Sequence, residues 1–127
     1  MKDTTLLVED DETLCELCTE MFKIMNSPLF TANTKEEAVK IFDEHKKKIG
    51  LVIFDMNLEN VTGIEVHKAL RQKGEYFTAI LASGMFLEDD HDTYKTMGFE
   101  EIILKPFNLS ELKRLINTYL VKKQESK

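Results

Sequence analysis

The sequence predicts an α/β fold, a single (βα)5 domain built around a parallel sheet. Short β-rich runs alternate five times with amphipathic segments, which is the pattern of βαβ units. One of these runs, residues 51–54, is apolar throughout, as expected for a central parallel strand that is covered on both faces. The length of 127 residues, with 43% apolar and 31% charged residues, suits one domain of ordinary size with a substantial core.

The first strand is predicted at residues 5–8 and is followed by Asp11, which suits the N-cap of a helix. Asn26, Ser27 and Pro28 then break that helix. Its apolar residues recur with a helical period, and they are Leu14, Leu17, Cys18, Met21, Phe22 and Met25.

A weaker second strand is predicted at residues 29–32. Thr34 and Glu37 have the spacing of a capping box, which places the start of the second helix at this point. Gly50 closes the connection to the next strand. The apolar residues on which this helix is built are Ala38, Ile41 and Phe42.

The third strand, residues 51–54, ends at a charged residue, Asp55. A loop at residues 56–62 separates it from a third helix. That helix carries an apolar face formed by Ile64, Val66, His67 and Leu70.

The last two units complete the pattern. The fourth strand is predicted at residues 78–82, a fourth helix from near Glu88 to Met97, and Gly98 ends that helix. The fifth strand is residues 102–104. The final helix is marked by Leu109, Leu112, Leu115, Ile116 and Tyr119. The domain is therefore expected over residues 1–121, followed by a polar tail at residues 122–127.

Composition excludes several classes of function. The formal net charge is −6, and the basic residues are scattered apart from the triplet at residues 46–48, which suits a solvated helix end. Direct binding to nucleic acid is therefore not expected. No unbroken apolar stretch exceeds four residues, far short of the roughly 20 that a membrane helix needs. The N-terminus has no apolar signal region, so we expect a cytoplasmic protein.

Cys15 and Cys18 form a C-x-x-C motif, which raises the alternatives of a zinc site and a redox site. Zinc would need two further ligands, and the three histidines have no ligand-like spacing. A redox motif is expected where a strand turns into a helix, whereas both cysteines lie inside an apolar helical pattern. We expect ordinary buried thiols in a reducing compartment.

Ligands of open parallel sheets bind beyond the carboxyl ends of the strands, so the residues that follow each strand are the candidate site. Acids, a hydroxyl and an ammonium converge there in this sequence. Acids held together repel one another unless a cation neutralises them, and Mg²⁺ prefers carboxylate and carbonyl oxygens. The residues at these strand ends are Glu9, Asp10, Asp11, Asp55, Ser83, Gly84, Lys105 and Pro106.

These motifs, with their spacing, resemble the receiver domain of two-component response regulators over about residues 4–120. The spacing from Asp55 to Ser83 is 28 residues and that from Ser83 to Lys105 is 22. The resemblance implies a doubly wound, flavodoxin-like sheet with strand order 2-1-3-4-5. The matching motifs are Leu7-Val8-Glu9-Asp10-Asp11, Asp55, Gly63, Ala82-Ser83-Gly84 and Leu104-Lys105-Pro106-Phe107.

The resemblance also implies the chemistry. Asp55 would accept a phosphoryl group and would bind Mg²⁺ together with Asp10, with Mn²⁺ able to replace Mg²⁺. Glu9 would act through a water molecule, and the carbonyl of Asn57 would complete the protein ligands. Such a domain is not an enzyme in the usual sense, because it catalyses only its own phosphorylation and dephosphorylation.

By the same resemblance, Lys105 and Ser83 would contact the phosphoryl oxygens, and Gly84 would leave room for them. The phosphoryl donor would be a sensor histidine kinase or a phosphotransfer protein. Phosphorylation would change the face formed by the fourth helix, fifth strand and fifth helix. Through that face the domain would contact a downstream target or output domain, or pair with itself as a homodimer.

The sequence departs from the family pattern at two places. Ile102 stands where the family usually has Tyr, Phe or His, three residues before the lysine. The loop after Asp55 lacks the usual proline and carries Glu59, so it is expected to be more mobile. The family tunes phosphate lifetime at the positions of Asn57 and Met85. The run at residues 85–87 is either a partner surface or the packing of the next helix.

Three other functions remain as alternatives. The first is a receiver-like scaffold that works without phosphorylation, which Ile102 motivates. The second is a phosphatase in the style of the haloacid dehalogenase family, although that family requires Asp-x-Asp after its first strand and Asn57 stands two residues after Asp55 here. The third is a flavin-binding role, against which the acidic loop after the first strand argues.

Overall fold

The computed structural model describes residues 2–85 and 91–120, in which strands and helices alternate along the chain. The strands are β1 Thr4–Val8, β2 Leu29–Ala32, β3 Ile49–Asp55, β4 Thr78–Ser83 and β5 Phe99–Leu104. The helices are α1 Glu12–Ile24, α2 Lys35–His45, α3 Gly63–Arg71, α4 His91–Thr96 and α5 Leu109–Tyr119.

The five strands form one parallel sheet in the order β2-β1-β3-β4-β5. All seven residues of β3, the central strand, are buried. The predicted (βα)5 architecture and the strand order implied by the family resemblance are both confirmed. This order places β1, β3 and β4 side by side, so that their carboxyl ends meet at one edge of the sheet.

Two hydrophobic cores cover the two faces of the sheet. One contains Phe42 of α2 and Leu70 of α3, with Tyr94 of α4 packed against it. The other contains Phe22 of α1 and Leu115 of α5. Helices therefore cover both faces of the sheet, as a doubly wound fold requires. No helix among the described residues is long and apolar enough to cross a bilayer.

Two strands are each three residues longer than the sequence predicts. β3 includes Gly50, where an added Cβ would lie 2.7 Å from the carbonyl oxygen of Lys2, so backbone packing explains the glycine. β5 begins at Phe99, three residues before the predicted start, because Phe99 is buried and pairs with Ala79. The sequence does not indicate this start because the polar Glu100 and Glu101 follow Phe99. Polar residues are tolerated there since an edge strand exposes part of its surface to water.

Helix capping agrees with the sequence in part. Asp11 accepts hydrogen bonds from the backbone N–H groups of the α1 first turn, as predicted. Thr34 accepts from Glu37 N, but the Glu37 carboxylate accepts from Asn33 N instead of the N-cap. The predicted capping box is therefore only half formed. Leu17, expected on the apolar face of α1, is 48% exposed.

Some predictions concern residues outside the described part of the chain. The predicted fourth helix begins near Glu88, whereas the described helix α4 spans His91–Thr96. Residues 86 and 87 of the apolar run and the predicted tail at residues 122–127 also lie outside it.

Candidate functional site

The carboxyl ends of the strands bring the predicted polar residues together. Asp55 is the last residue of β3, while Glu9 and Asp10 follow β1 directly. One carboxylate oxygen from each of these three residues lies within 4.8 Å of the others. Ser83 ends β4 and Lys105 follows β5. The structure therefore assembles one acidic pocket from residues that the sequence spreads over almost 100 positions.

Asp55 is buried, and its two carboxylate oxygens differ in their surroundings. Oδ1 accepts hydrogen bonds from Lys105 Nζ at 3.1 Å and from Asn57 N at 3.3 Å. Oδ2 accepts none from the described residues. One oxygen is thus fixed by the protein, while the other is available to a reactant.

The backbone behind Asp55 is closely packed against the start of α3. A Cβ on Gly63 would lie 2.2 Å from the Asp55 carbonyl oxygen. Gly63 N donates to Met56 O at 3.0 Å, which closes the loop between β3 and α3. Sequence spacing indicates Gly63 as part of a motif, but its physical role becomes visible only in this contact.

Lys105 is the cation that faces the acids. Its Nζ lies 2.9 Å from Glu9 Oε1 and 3.1 Å from Asp55 Oδ1, and its backbone N donates to Ser83 O at 2.8 Å. Burial opposes the ammonium, but the bonds to the two carboxylates outweigh it and raise the pKa of Lys105. Lys105 is therefore charged and shared between two acids.

Glu9 is 1% exposed, and this burial raises the pKa of its carboxyl to about 7, against the opposing effects of the nearby Lys105 ammonium and of the hydrogen bond from Asp11 N. Its Oε1 lies close to the Lys105 ammonium yet receives no well-directed hydrogen bond. A buried carboxylate oxygen without a directed donor is a suitable ligand for a hard cation.

Asp10 is half-buried, and its carboxylate accepts no hydrogen bond from the described residues. The Asn57 carbonyl likewise accepts no backbone hydrogen bond from them. Three carboxylates and a free carbonyl match the oxygen ligands that Mg²⁺ prefers. The donor set therefore fits a divalent cation, in agreement with the sequence-based expectation.

Ser83 lies opposite the acids at the end of β4. Its Oγ accepts a hydrogen bond from Met85 N at 3.0 Å, which leaves the hydroxyl proton able to point elsewhere. A Cβ on Gly84 would meet no atom of the described residues within 4 Å, and Met85 is 68% exposed. Among the residues that the structure describes, the space beyond Ser83 is therefore open next to a hydroxyl donor.

Cys15 and Cys18 are both buried and unpaired by disulfide, as predicted. Burial raises the pKa of the Cys15 thiol to about 11 and that of Cys18 to about 12. Both thiols therefore remain protonated at neutral pH. Neither belongs to the acidic cluster.

Sequence reasoning missed one residue of the pocket wall, Asn33. Its side-chain Nδ2 donates to the Glu9 carbonyl oxygen at 2.9 Å. Asn33 directly follows β2, the neighbour of β1, so the rule that places functional residues at strand ends could have found it. A short amide in a turn is so common, however, that the residue type alone gives no signal.

Comparison with known proteins decides the family. Residues 5–117 match the family model described as the response regulator receiver domain. The chain belongs to the response regulator receiver domain family. In receiver domains, an acidic pocket of this kind is typically the phosphoacceptor site. Membership of this family argues against the phosphatase and flavin-binding alternatives.

Among curated relatives, the regulatory protein VanR of Enterococcus faecium is 32% identical over 112 residues, which cover 88% of this chain and 47% of VanR. The receiver domain therefore spans about half the length of that relative, and 16% of the transcription factor SKN7 of Chaetomium thermophilum.

Two solved structures are similar to this receiver domain throughout. The chemotaxis protein CheY4 of Vibrio cholerae has a TM-score of 0.84 at 20% identity, covering 94% of this chain and 100% of its own. The response regulator TrrA of Thermotoga maritima, in complex with Mg²⁺ and BeF, has a TM-score of 0.75 at 28% identity and covers 93% of this chain and 98% of its own.

Proposed function

We propose that this receiver domain accepts a phosphoryl group on Asp55. The observation that carries the proposal is the environment of its carboxylate, in which Lys105 and Asn57 N bind one oxygen and leave the other open. A carboxylate in such a position is a competent nucleophile. The donor would be a histidine kinase or a phosphotransfer protein, the partners with which receiver domains interact.

In the reaction, an Asp55 oxygen attacks the phosphorus of a phosphohistidine. An O–P bond forms, the N–P bond breaks, and the imidazole leaves with the bonding electrons and takes up a proton. Lys105 and the Ser83 hydroxyl would donate to the phosphoryl oxygens on which charge develops. Catalysis of phosphoryl transfer is largely such positioning and electrostatic stabilisation.

Glu9, Asp10, Asp55 and the Asn57 carbonyl would hold Mg²⁺, with Glu9 acting through a water molecule, and Mn²⁺ could replace it. Bound Mg²⁺ would supply positive charge to the phosphoryl oxygens. The mutual approach of the three carboxylates supports this assignment, because closely spaced acids repel one another until a cation is added.

Phosphorylation would act as a switch on the face formed by α4, β5 and α5. A phosphoryl group adds roughly −1.5 to −2 charges, and the Ser83 hydroxyl is free to turn toward it. A groove of about 420 Å³ lies on this face, with the exposed side chains of Met85 and Leu104 at its lining. We assign this face to a downstream target, an output domain or a second copy of the domain.

The test is the intact mass after incubation with acetyl phosphate and Mg²⁺. Wild type should gain one phosphoryl group and Asp55→Asn none. Asp92→Asn, which removes an exposed acid outside the pocket, is the matched control and should behave as wild type. Incorporation into Asp55→Asn would overturn the assignment of the acceptor.

A second candidate is a receiver-like scaffold that works without phosphorylation. Ile102 favours it, because an aliphatic side chain half-buried on β5 stands where the family usually has an aromatic one. Absence of both phosphoryl incorporation and Mg²⁺ binding in the wild type would support this candidate over the first.

A further inference from the structure

The backbone carbonyl of Glu9 lies just beyond the end of β1. Glu9 N still donates to Ala32 O at 2.9 Å, as part of the sheet. The carbonyl of the same residue accepts no backbone hydrogen bond from the described residues. A backbone carbonyl that is shielded from water and lacks a backbone donor needs a hydrogen bond from a side chain.

Two side chains supply that partner. Asn33 Nδ2 donates to Glu9 O at 2.9 Å, and Cys15 Sγ donates to the same oxygen at 3.4 Å. Asn33 Nδ2 also lies 3.7 Å from Cys15 Sγ, so the three groups contact one another. A thiol S–H is a weak hydrogen-bond donor, so Cys15 supplies the second contact to this oxygen.

Asn33 is itself held in place by the next helix. Its backbone N donates to Glu37 Oε1 at 2.6 Å, and Glu37 lies in the first turn of α2. The side chain therefore reaches Glu9 from a fixed backbone. Through this contact the edge of the sheet at β2 and α2 is connected to the acidic pocket.

The acid that depends most on this contact is Asp10. Glu9 is fixed by Asp11 N and Lys105, and Asp55 is fixed by Lys105 and Asn57 N. The Asp10 carboxylate accepts no hydrogen bond from the described residues. Its direction is therefore set by its backbone, and the peptide that precedes it carries the Glu9 carbonyl.

We propose that Asn33 and Cys15 are positioning residues for the acidic cluster. By binding the Glu9 carbonyl they fix the Glu9–Asp10 peptide, and with it the direction of the Asp10 carboxylate toward Glu9 and Asp55. This inference rests on the proposed function, because it assumes that the cluster binds a divalent cation. It also gives the first cysteine of the C-x-x-C motif a role that is neither redox nor zinc binding, whereas Cys18 only packs in the core.

The test is the Mg²⁺ affinity of the purified domain, measured by calorimetric titration without any phosphoryl donor. Removing a group that hydrogen-bonds and orients a metal ligand typically weakens metal affinity by about tenfold or more. Asn33→Leu keeps the branched shape of the side chain but has no amide donor, and we expect about tenfold weaker binding. Cys15→Ala removes the second donor and should weaken binding less, while Cys15→Ser keeps a donor and should retain the affinity.

Two controls separate positioning from stability. Asn117→Leu makes the same chemical change at an exposed position of α5. Ile49→Val removes a buried methylene at the opposite end of β3 and destabilises the fold without touching the pocket. Both should bind Mg²⁺ as wild type does, and thermal unfolding of all variants confirms that each is folded at the temperature of the titration.

The outcomes are distinct. Wild-type affinity in Asn33→Leu, or equal losses in Cys15→Ser and Cys15→Ala, would overturn the positioning role while leaving the proposed function intact. Failure of the wild type itself to bind Mg²⁺ would instead contradict the metal site of the proposed function, and with it this inference.

Discussion

Lys105 Nζ donates to Asp55 Oδ1 over 3.1 Å, so the proposed phosphoacceptor carries a cation on one of its two oxygens before any reactant arrives. The same ammonium lies 2.9 Å from Glu9. In the proposed function it would therefore have two roles, to neutralise the acids of the resting pocket and to contact the phosphoryl oxygens during transfer. These roles predict opposite effects of its removal on two measurements.

We expect Lys105→Met to reduce phosphoryl incorporation from acetyl phosphate at least tenfold, because a donor to the developing charge is lost. Mg²⁺ affinity should not fall, and should rise, because a competing cation leaves the carboxylates. Both quantities are measured on the same preparation, by intact mass and by titration. Lys113→Met, an exposed lysine of α5, is the control and should change neither. Weaker Mg²⁺ binding in Lys105→Met would contradict this account.

Asp10→Asn tests the repulsion within the acidic cluster. Because the Asp10 carboxylate has no hydrogen-bond donor among the described residues, removing its charge should stabilise the metal-free domain by about 1 kcal/mol. Mg²⁺ should stabilise wild type strongly and this variant little. Urea unfolding with and without Mg²⁺ gives both numbers.

The matched control for that change is Glu16→Gln, which removes an exposed acid from α1. Its metal-free stability should stay within about 0.5 kcal/mol of wild type, as is usual for surface changes. A metal-free Asp10→Asn that is less stable than wild type would show that Asp10 has an attractive partner.

Gly63→Ala tests the close approach behind Asp55. Its Cβ would lie 2.2 Å from a backbone carbonyl oxygen, which no side-chain rotation can relieve. We expect a loss of about 3 kcal/mol in the free energy of unfolding. Gly84→Ala is the comparison, since its Cβ would meet no atom of the described part of the chain within 4 Å and should leave stability nearly unchanged. Equal stability of the two variants would refute the packing argument.

His67 should make the stability of the domain depend on pH. It is buried on α3, where Arg71 Nε donates to its Nε2 at 2.9 Å. Burial, with the nearby Arg71 charge, lowers the pKa of His67 to about 4. The folded state therefore favours neutral histidine, so this contribution is complete above pH 6.5 and is lost as pH falls toward 4.

The corresponding variant is His67→Gln, which keeps an acceptor for Arg71 but cannot become charged. Its stability should fall less steeply than that of wild type between pH 6.5 and 4.5 in urea unfolding. His91→Gln replaces an exposed histidine and should follow the wild-type curve. Parallel curves for wild type and His67→Gln would show that His67 does not contribute.

The sequence predicts the pocket well because parallel strands place their ends at one edge of the sheet. Asp55, Ser83 and Lys105 each follow an apolar run, so the strand-end rule finds them without any knowledge of contacts. The metal-ligand roles depended on the family resemblance, since a cluster of acids alone does not distinguish direct from water-mediated binding.

What the sequence does not reveal are contacts that depend on three-dimensional distance. The sequence does not predict Phe99 as the start of β5, because two glutamates follow it. In the structure the centroid of its ring lies 4.3 Å from that of His67. Asn33 and Arg71 are ordinary surface residue types in sequence. Their roles depend on a carbonyl and a histidine that lie 24 and four residues away, respectively.

The bond between Lys105 and Asp55 joins groups 50 residues apart, and it depends on β5, which is an edge strand of the described sheet. Glu9 and Asp10 follow β1 and Asp55 ends β3, both strands inside the sheet, whereas Lys105 follows an edge strand that pairs with β4 alone. Any opening of β5 away from β4 would therefore leave three acids without the lysine that neutralises them, and their repulsion would then oppose the closed pocket.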